Sequence, residues 1–169
     1  MAYIVDDLYI VSKFEAYVDG SYMPGIGCGY GGIVYDCDCE KAHIEWHGPC
    51  GGEEAVHAEL AAIAAAAQFA VRKHIWIDIY TDSEQAIRVL RTKKLKRADP
   101  WAYNSWQDFW AALYHQANEK VPLRIRHVKG HSGHHGNNRA HLLARRGVRA
   151  EESQHTLTTN TFDITKYGH

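Results

Sequence analysis

The stretch from Phe14 to Gly48 constrains the fold most. Its two segments, "FEAYVDG" and "GYGGIVYDCDCEKAHIEWHG", alternate apolar and polar side chains. Alternation with period two gives a strand one buried and one wetted face, and the intervening glycines mark tight turns, so three strands in an antiparallel meander are predicted. The next segment can cover the meander's apolar face. Residues 54–73, "EAVHAELAAIAAAAQFAVRK", are helix formers throughout, with Leu60, Ile63, Ala67 and Val71 along one stripe.

"HIWIDIYTD" then reads as a nearly continuous apolar strand, buried on both faces. "SEQAIRVLRTKKLK" is predicted as a helix capped by Asp82 or Ser83, and "YNSWQDFWAALYHQANEK" after Pro100 as an amphipathic helix. "LRIRHV" is a fifth strand, and residues 137–149 form the last helix. The order βββαβαβα implies an α/β fold with a five-stranded mixed sheet, three antiparallel strands followed by crossover strands, flanked by helices. Residues 1–13 read as an N-terminal extension, 14–150 as one domain and 151–169 as a polar tail.

A chain of 169 residues buries enough apolar surface for one domain without disulfides or structural metal. The longest apolar run, "LAAIAAAAQFAV", is short and alanine-rich for a membrane span, and an acidic pair stands near the N-terminus where a signal peptide is basic, so a soluble cytoplasmic monomer is expected. Cys28, Cys37, Cys39 and Cys50 match no common zinc spacing and read as reduced thiols.

The net charge of −1 excludes no partner, but its distribution is uneven. Between Arg124 and Arg149 there are seven Lys or Arg residues, five histidines and no carboxylate, and a second basic run covers 88–97. Each is either a solvated face or a surface for a phosphate backbone.

Two strands end alike, "YVDGS" delivering Asp19 and "IYTDS" delivering Asp82. Either Asp can be a turn or cap residue, and Gln85 three residues after Asp82 suggests a capping box. If the first strand and the strand after the crossover helix are parallel neighbours, their ends share the crevice where α/β sheets bind ligands. Glu59, at the margin of the helix's buried stripe, can join them. Three converging carboxylates repel unless a cation sits among them, and a hard oxygen cluster suits Mg²⁺ or Mn²⁺. Two such ions would hydrolyse a phosphodiester.

"YVDGS", "GYGGIV", "HAELAAIAAA", "IYTDS" and "VKGHSGHHGNNRAHLLARRG" resemble, in order and approximate spacing, type 1 ribonuclease H across residues 14–150. The resemblance implies a two-metal endonuclease that cuts the RNA strand of an RNA/DNA hybrid, leaving 3'-hydroxyl and 5'-phosphate ends. It implies Asp19, Glu59 and Asp82 as metal ligands and His131 as the mobile-loop histidine that handles protons or product. It also implies Gly20, Ser21, Trp106, Lys129, Asn137 and Arg139 as substrate contacts, with core packing an equal alternative for Trp106. The run 88–97 stands where many members insert a longer basic protrusion.

One departure concerns the last helix. The family's fourth carboxylate, usually an Asp, is replaced by His141, and the neighbouring acidic position by Asn138. Three readings follow: His141 ligates the second ion, with a preference for Mn²⁺ over Mg²⁺; it orients a water or phosphate instead; or the protein binds hybrids, or structured RNA, without cutting them. The helix start just before His141 favours the neutral imidazole that can ligate. Before Glu59, where the family commonly has Thr and Asn, this chain has Glu54, Ala55, Val56 and His57.

Overall fold

A computed structural model describes residues 2–5, 9–36, 41–93, 95, 97–130, 135–151 and 154–157. The five expected strands are present as β2 (Tyr9–Met23), β3 (Gly27–Asp36), β4 (Lys41–Cys50), β5 (Trp76–Thr81) and β6 (Leu123–His127). They lie in the order β6-β5-β2-β3-β4. β2, β3 and β4 are antiparallel, whereas β5 runs parallel to both β2 and β6. Two short strands extend this sheet. β1 (Ala2–Val5) pairs with the start of β2, and β7 (Gln154–Leu157), inside the expected tail, pairs with the outer edge of β4.

Alternation along β2 sorts its side chains between two layers. Phe14, Ala16 and Val18 point into the main core beneath α1 (Ala55–Lys73), and Tyr17 packs with Ile33 and Ala140 beneath α4 (His135–Val148). The alanines of α1 explain its close seat: Ala58, Ala62, Ala66 and Ala70 are fully buried beside Leu60 and Ile63. On the other face, β3 carries glycine where α4 crosses it. A Cβ at Gly31 would lie 2.4 Å from the Ala144 amide nitrogen, and one at Gly29 would lie 2.1 Å from that of Val148, so α4 rests directly on the strand backbone.

β2 starts at Tyr9, inside the expected extension, and three helix boundaries also differ from expectation. α2 spans Glu84–Arg91 rather than running to 96. Its C-terminal carbonyls are taken by α3 (Pro100–Asn118), whose Trp110 and Trp106 indole N–H groups donate to the carbonyls of Leu90 and Thr92 at 3.0 and 2.8 Å. α3 starts earlier than the aromatic pattern suggested, because Pro100 opens it and the Asp99 side chain accepts from the Ala102 amide at 3.1 Å. α4 begins at His135, so His141 lies in its second turn.

Candidate active site

β2 and β5 are parallel with Tyr17 opposite Tyr80, so Asp19 and Asp82 emerge together at one end of the sheet. The α2 N-cap is Ser83, whose hydroxyl accepts from the Ala86 amide at 3.0 Å. Asp82 is thereby relieved of capping. Gly20 brings up the third acid: a Cβ there would lie 2.2 Å from the Glu59 amide nitrogen, a distance only glycine permits between β2 and α1. One carboxylate oxygen from each of Asp19, Glu59 and Asp82 falls within 4.8 Å of the others.

The surroundings make this proximity costly for ionised acids. Burial, and then the charge of Asp82, push the Asp19 carboxyl up to about 6. Its Oδ1 accepts from the Gly20 amide at 2.9 Å and its Oδ2 lies 2.9 Å from His141 Nδ1, and both contacts oppose the shift. Burial chiefly, with the charges of Asp19 and Asp82 adding, raises Glu59 to about 7 against a 2.5 Å hydrogen bond donated by the Ser83 hydroxyl. Asn137, almost fully buried, lines the same 420 Å³ pocket, and its carbonyl oxygen has no partner among the described residues. An all-oxygen donor set whose burial and mutual repulsion hold protons near neutrality fits a hard divalent cation.

The RNase H family model matches residues 12–149. The chain belongs to the ribonuclease H family. It is 32% identical over 149 residues to a ribonuclease H of Rhizobium etli, covering 79% of this chain and 90% of that protein. A Chlorobium phaeovibrioides ribonuclease H is 30% identical, with 81% and 96% covered. Among solved structures, RNase H1 from Halobacterium salinarum superposes with a TM-score of 0.64 at 22% identity, over 80% of this chain and 97% of that one. LC11-RNase H1 in complex with an RNA/DNA hybrid gives 0.60 at 17% identity, over 80% and 96%.

In this ribonuclease H, His141 reaches the cluster through Asp19 rather than as an equal member of it. Its Nδ1 faces the Asp19 carboxylate, and half of its side chain is exposed. The expected help from the helix start does not apply, because His141 sits six residues beyond His135 and helix-end fields fade within the first turn. Leu142 and Asn138 also line the acidic pocket.

Arg139, expected at the substrate, is engaged elsewhere. It forms a two-pronged ion pair with Glu45 of β4, Nη2 to Oε1 at 2.7 Å, which fastens the start of α4 to the sheet. Trp106 is half-buried, hydrogen-bonded to Thr92 and stacked against Tyr103 with ring centres 5.8 Å apart, outside the acidic pocket. Ser21 lies two residues beyond Asp19 on β2, opposite Gly29, and does not line the pocket. Lys129 is exposed beside Gly130, where a Cβ would sit 3.0 Å from Asp82 Oδ2, so Gly130 abuts the acidic cluster at Asp82. His131 lies outside the described residues.

The sequence offers Ser83 as an alternative cap to Asp82; what sequence reasoning missed is that the same hydroxyl steadies Glu59. The signal for it was the hydroxyl directly after Asp82 in "IYTDS". No helix among the described residues is long and apolar enough to cross a membrane.

Proposed function

We propose that this ribonuclease H hydrolyses the RNA strand of RNA/DNA hybrids endonucleolytically, using two divalent ions and leaving 3'-hydroxyl and 5'-phosphate ends. The observation that carries this reading is the trio Asp19, Glu59 and Asp82, gathered within 4.8 Å with two of its carboxyls pushed towards neutral pH. Bound divalent ions would supply an activated water and stabilise the leaving oxygen. Asp19, Glu59 and Asp82 would hold them.

The chain's own groups do the positioning. Ser83 fixes one oxygen of Glu59, and the Gly20 amide fixes one oxygen of Asp19. His141 holds the other Asp19 oxygen, which favours an orienting role over direct ligation. Asn137 offers its unpartnered carbonyl to a water or a ribose hydroxyl, and Lys129 on the loop beside Asp82 offers charge to a phosphate. His131, on the same loop, remains the proton handler. With one carboxylate fewer than the family pattern, the site prefers Mn²⁺ to Mg²⁺. The 14–150 segment is the catalytic unit and acts as a monomer.

The test is a hybrid labelled on its RNA strand, incubated with Mn²⁺, Mg²⁺ or a chelator. Internal cuts in RNA only, faster with Mn²⁺ and abolished by chelator or by Asp19→Asn, are expected. Binding without cleavage, the same in Asp19→Asn, would mark a non-catalytic hybrid-binding module instead.

A further inference from the structure

A second pocket of about 690 Å³ adjoins the acidic one and shares Leu142 as a wall. Its floor is the C-terminal half of α4, where Leu142, Arg145 and Arg146 at i, i+3 and i+4 share one helix face, with Arg149 in the turn just past the helix end. His47 of β4 and Glu151 complete the lining. We infer that this pocket clamps a backbone phosphate of the bound nucleic acid beyond the cleavage site. The inference rests on reading the acidic pocket as a hybrid nuclease site.

Three observations carry it. First, the pocket brings three guanidiniums against one carboxylate, and among the described residues none of the three pairs with an acid. Arg149 makes only a weak contact, its Nη1 donating to Met23 Sδ at 3.4 Å. Arg139, earlier on the same helix, is differently disposed, being spent on Glu45. Planar guanidiniums without acidic partners match phosphate oxygens in two-pronged geometry.

Second, the spacing suits a strand already seated at the acids. Arg149 lies eight residues after His141, about 12 Å along the helix axis. A strand that rises about 3.4 Å per nucleotide covers that in three to four nucleotides. Third, the pocket's outer wall belongs to chain beyond the family match, which ends at residue 149. Ala150 and Glu151 line that side, so part of the pocket lies outside what the family model covers.

Binding is measured by fluorescence anisotropy of an uncut hybrid in the Asp19→Asn background, across a salt series. Arg146→Ala/Arg149→Ala is expected to weaken binding at least tenfold at low salt and to reduce the slope of log K against log salt by about 0.9, the share of the one phosphate no longer neutralised. Arg146→Lys/Arg149→Lys should keep the slope, and Glu151→Gln should tighten binding severalfold. With Asp19 restored, the alanine pair should raise KM far more than it lowers kcat.

An alanine pair with parental affinity, parental slope and parental Tm would overturn the clamp, as would a lysine pair that loses the slope. Cleavage is scored separately. An arginine-dependent slope in a protein that never cuts hybrid overturns the nuclease reading and leaves the phosphate clamp standing.

Discussion

Asp78 and Asp82 lie four residues apart, one inside β5 and one just past its end, and the protein treats them oppositely. Asp78 is 2% exposed and receives Arg124 through two hydrogen bonds of 2.8 and 3.0 Å, with Lys13 at 3.3 Å. Burial alone would raise its carboxyl, but these cations hold it below the usual carboxylate range. Among the described residues Asp82 has no such cation; it faces Asp19 and Glu59, whose carboxyls are driven up to about 6 and about 7. A carboxylate that the chain neutralises itself supports the fold. A cluster left unneutralised lowers stability locally and is retained where a cation from solution completes it.

The largest expected effect separates the two regions cleanly. Asp19→Asn, Glu59→Gln or Asp82→Asn should each lower kcat by roughly 10³-fold or more, because each removes a ligand and its charge from the reacting centre. Asp19→Asn and Glu59→Gln should also raise the metal-free Tm by about 2–4 °C, since they relieve repulsion. A scan that showed these variants destabilised would break the contrast with Asp78.

Next comes His141. His141→Ala should cost about 10- to 100-fold in activity, the range for a residue that orients a metal ligand. It should also move the acidic limb of the pH–rate profile upward, because His141 is the main group opposing the rise of the Asp19 carboxyl, ahead of the Gly20 amide. His141→Asp should restore use of Mg²⁺. Equal turnover with Mg²⁺ and Mn²⁺ in the parent would remove the basis for that expectation.

Arg124→Ala should leave kcat within about twofold and cost roughly 2 kcal/mol, measured by denaturant unfolding, because a buried carboxylate then keeps only Lys13. The pH dependence of metal-free stability should run in opposite senses for the two regions. Asp19 and Glu59 bind protons more tightly folded than unfolded, so their contribution falls as pH rises from about 4 through 6 and 7. Asp78 binds its proton less tightly folded, so its contribution is present above about pH 4 and declines on further acidification. The smallest effect is Ser83→Ala, about 1 kcal/mol for removal of the cap, with a further rise of the Glu59 carboxyl.

The same contrast explains what the sequence made legible. Asp19 and Asp82 announce themselves because each ends an apolar strand, and the crossover helix between the strands forces them parallel and adjacent. Glu59 is legible because helical periodicity puts it at the edge of a buried stripe. Pairings between distant elements are hidden: Arg139 meets Glu45 across 94 positions, and His141 meets Asp19 across 122. No local pattern encodes those contacts, so Arg139 reads as a substrate contact and His141 stays open between ligating an ion, orienting a water or phosphate, and marking a site that binds without cutting. α2 was overextended for a related reason, since its end is fixed by indole donors from α3 rather than by a stop signal of its own. β7 was read as tail because four residues of polar strand carry no periodicity until β4 offers an edge.

Proton release on metal binding tests the unneutralised cluster most directly. Mn²⁺ is titrated calorimetrically into the metal-free protein at pH 6, in two buffers of different ionisation enthalpy. Asp19, raised to about 6, is then about half protonated and Glu59, raised to about 7, mostly so, and a cation that displaces those protons should release roughly one proton per binding event. Asp19→Asn should reduce that number and weaken binding. Mn²⁺ binding with no proton released, or no binding at all by a protein that still cleaves hybrid, would contradict the assignment of these acids as the metal site.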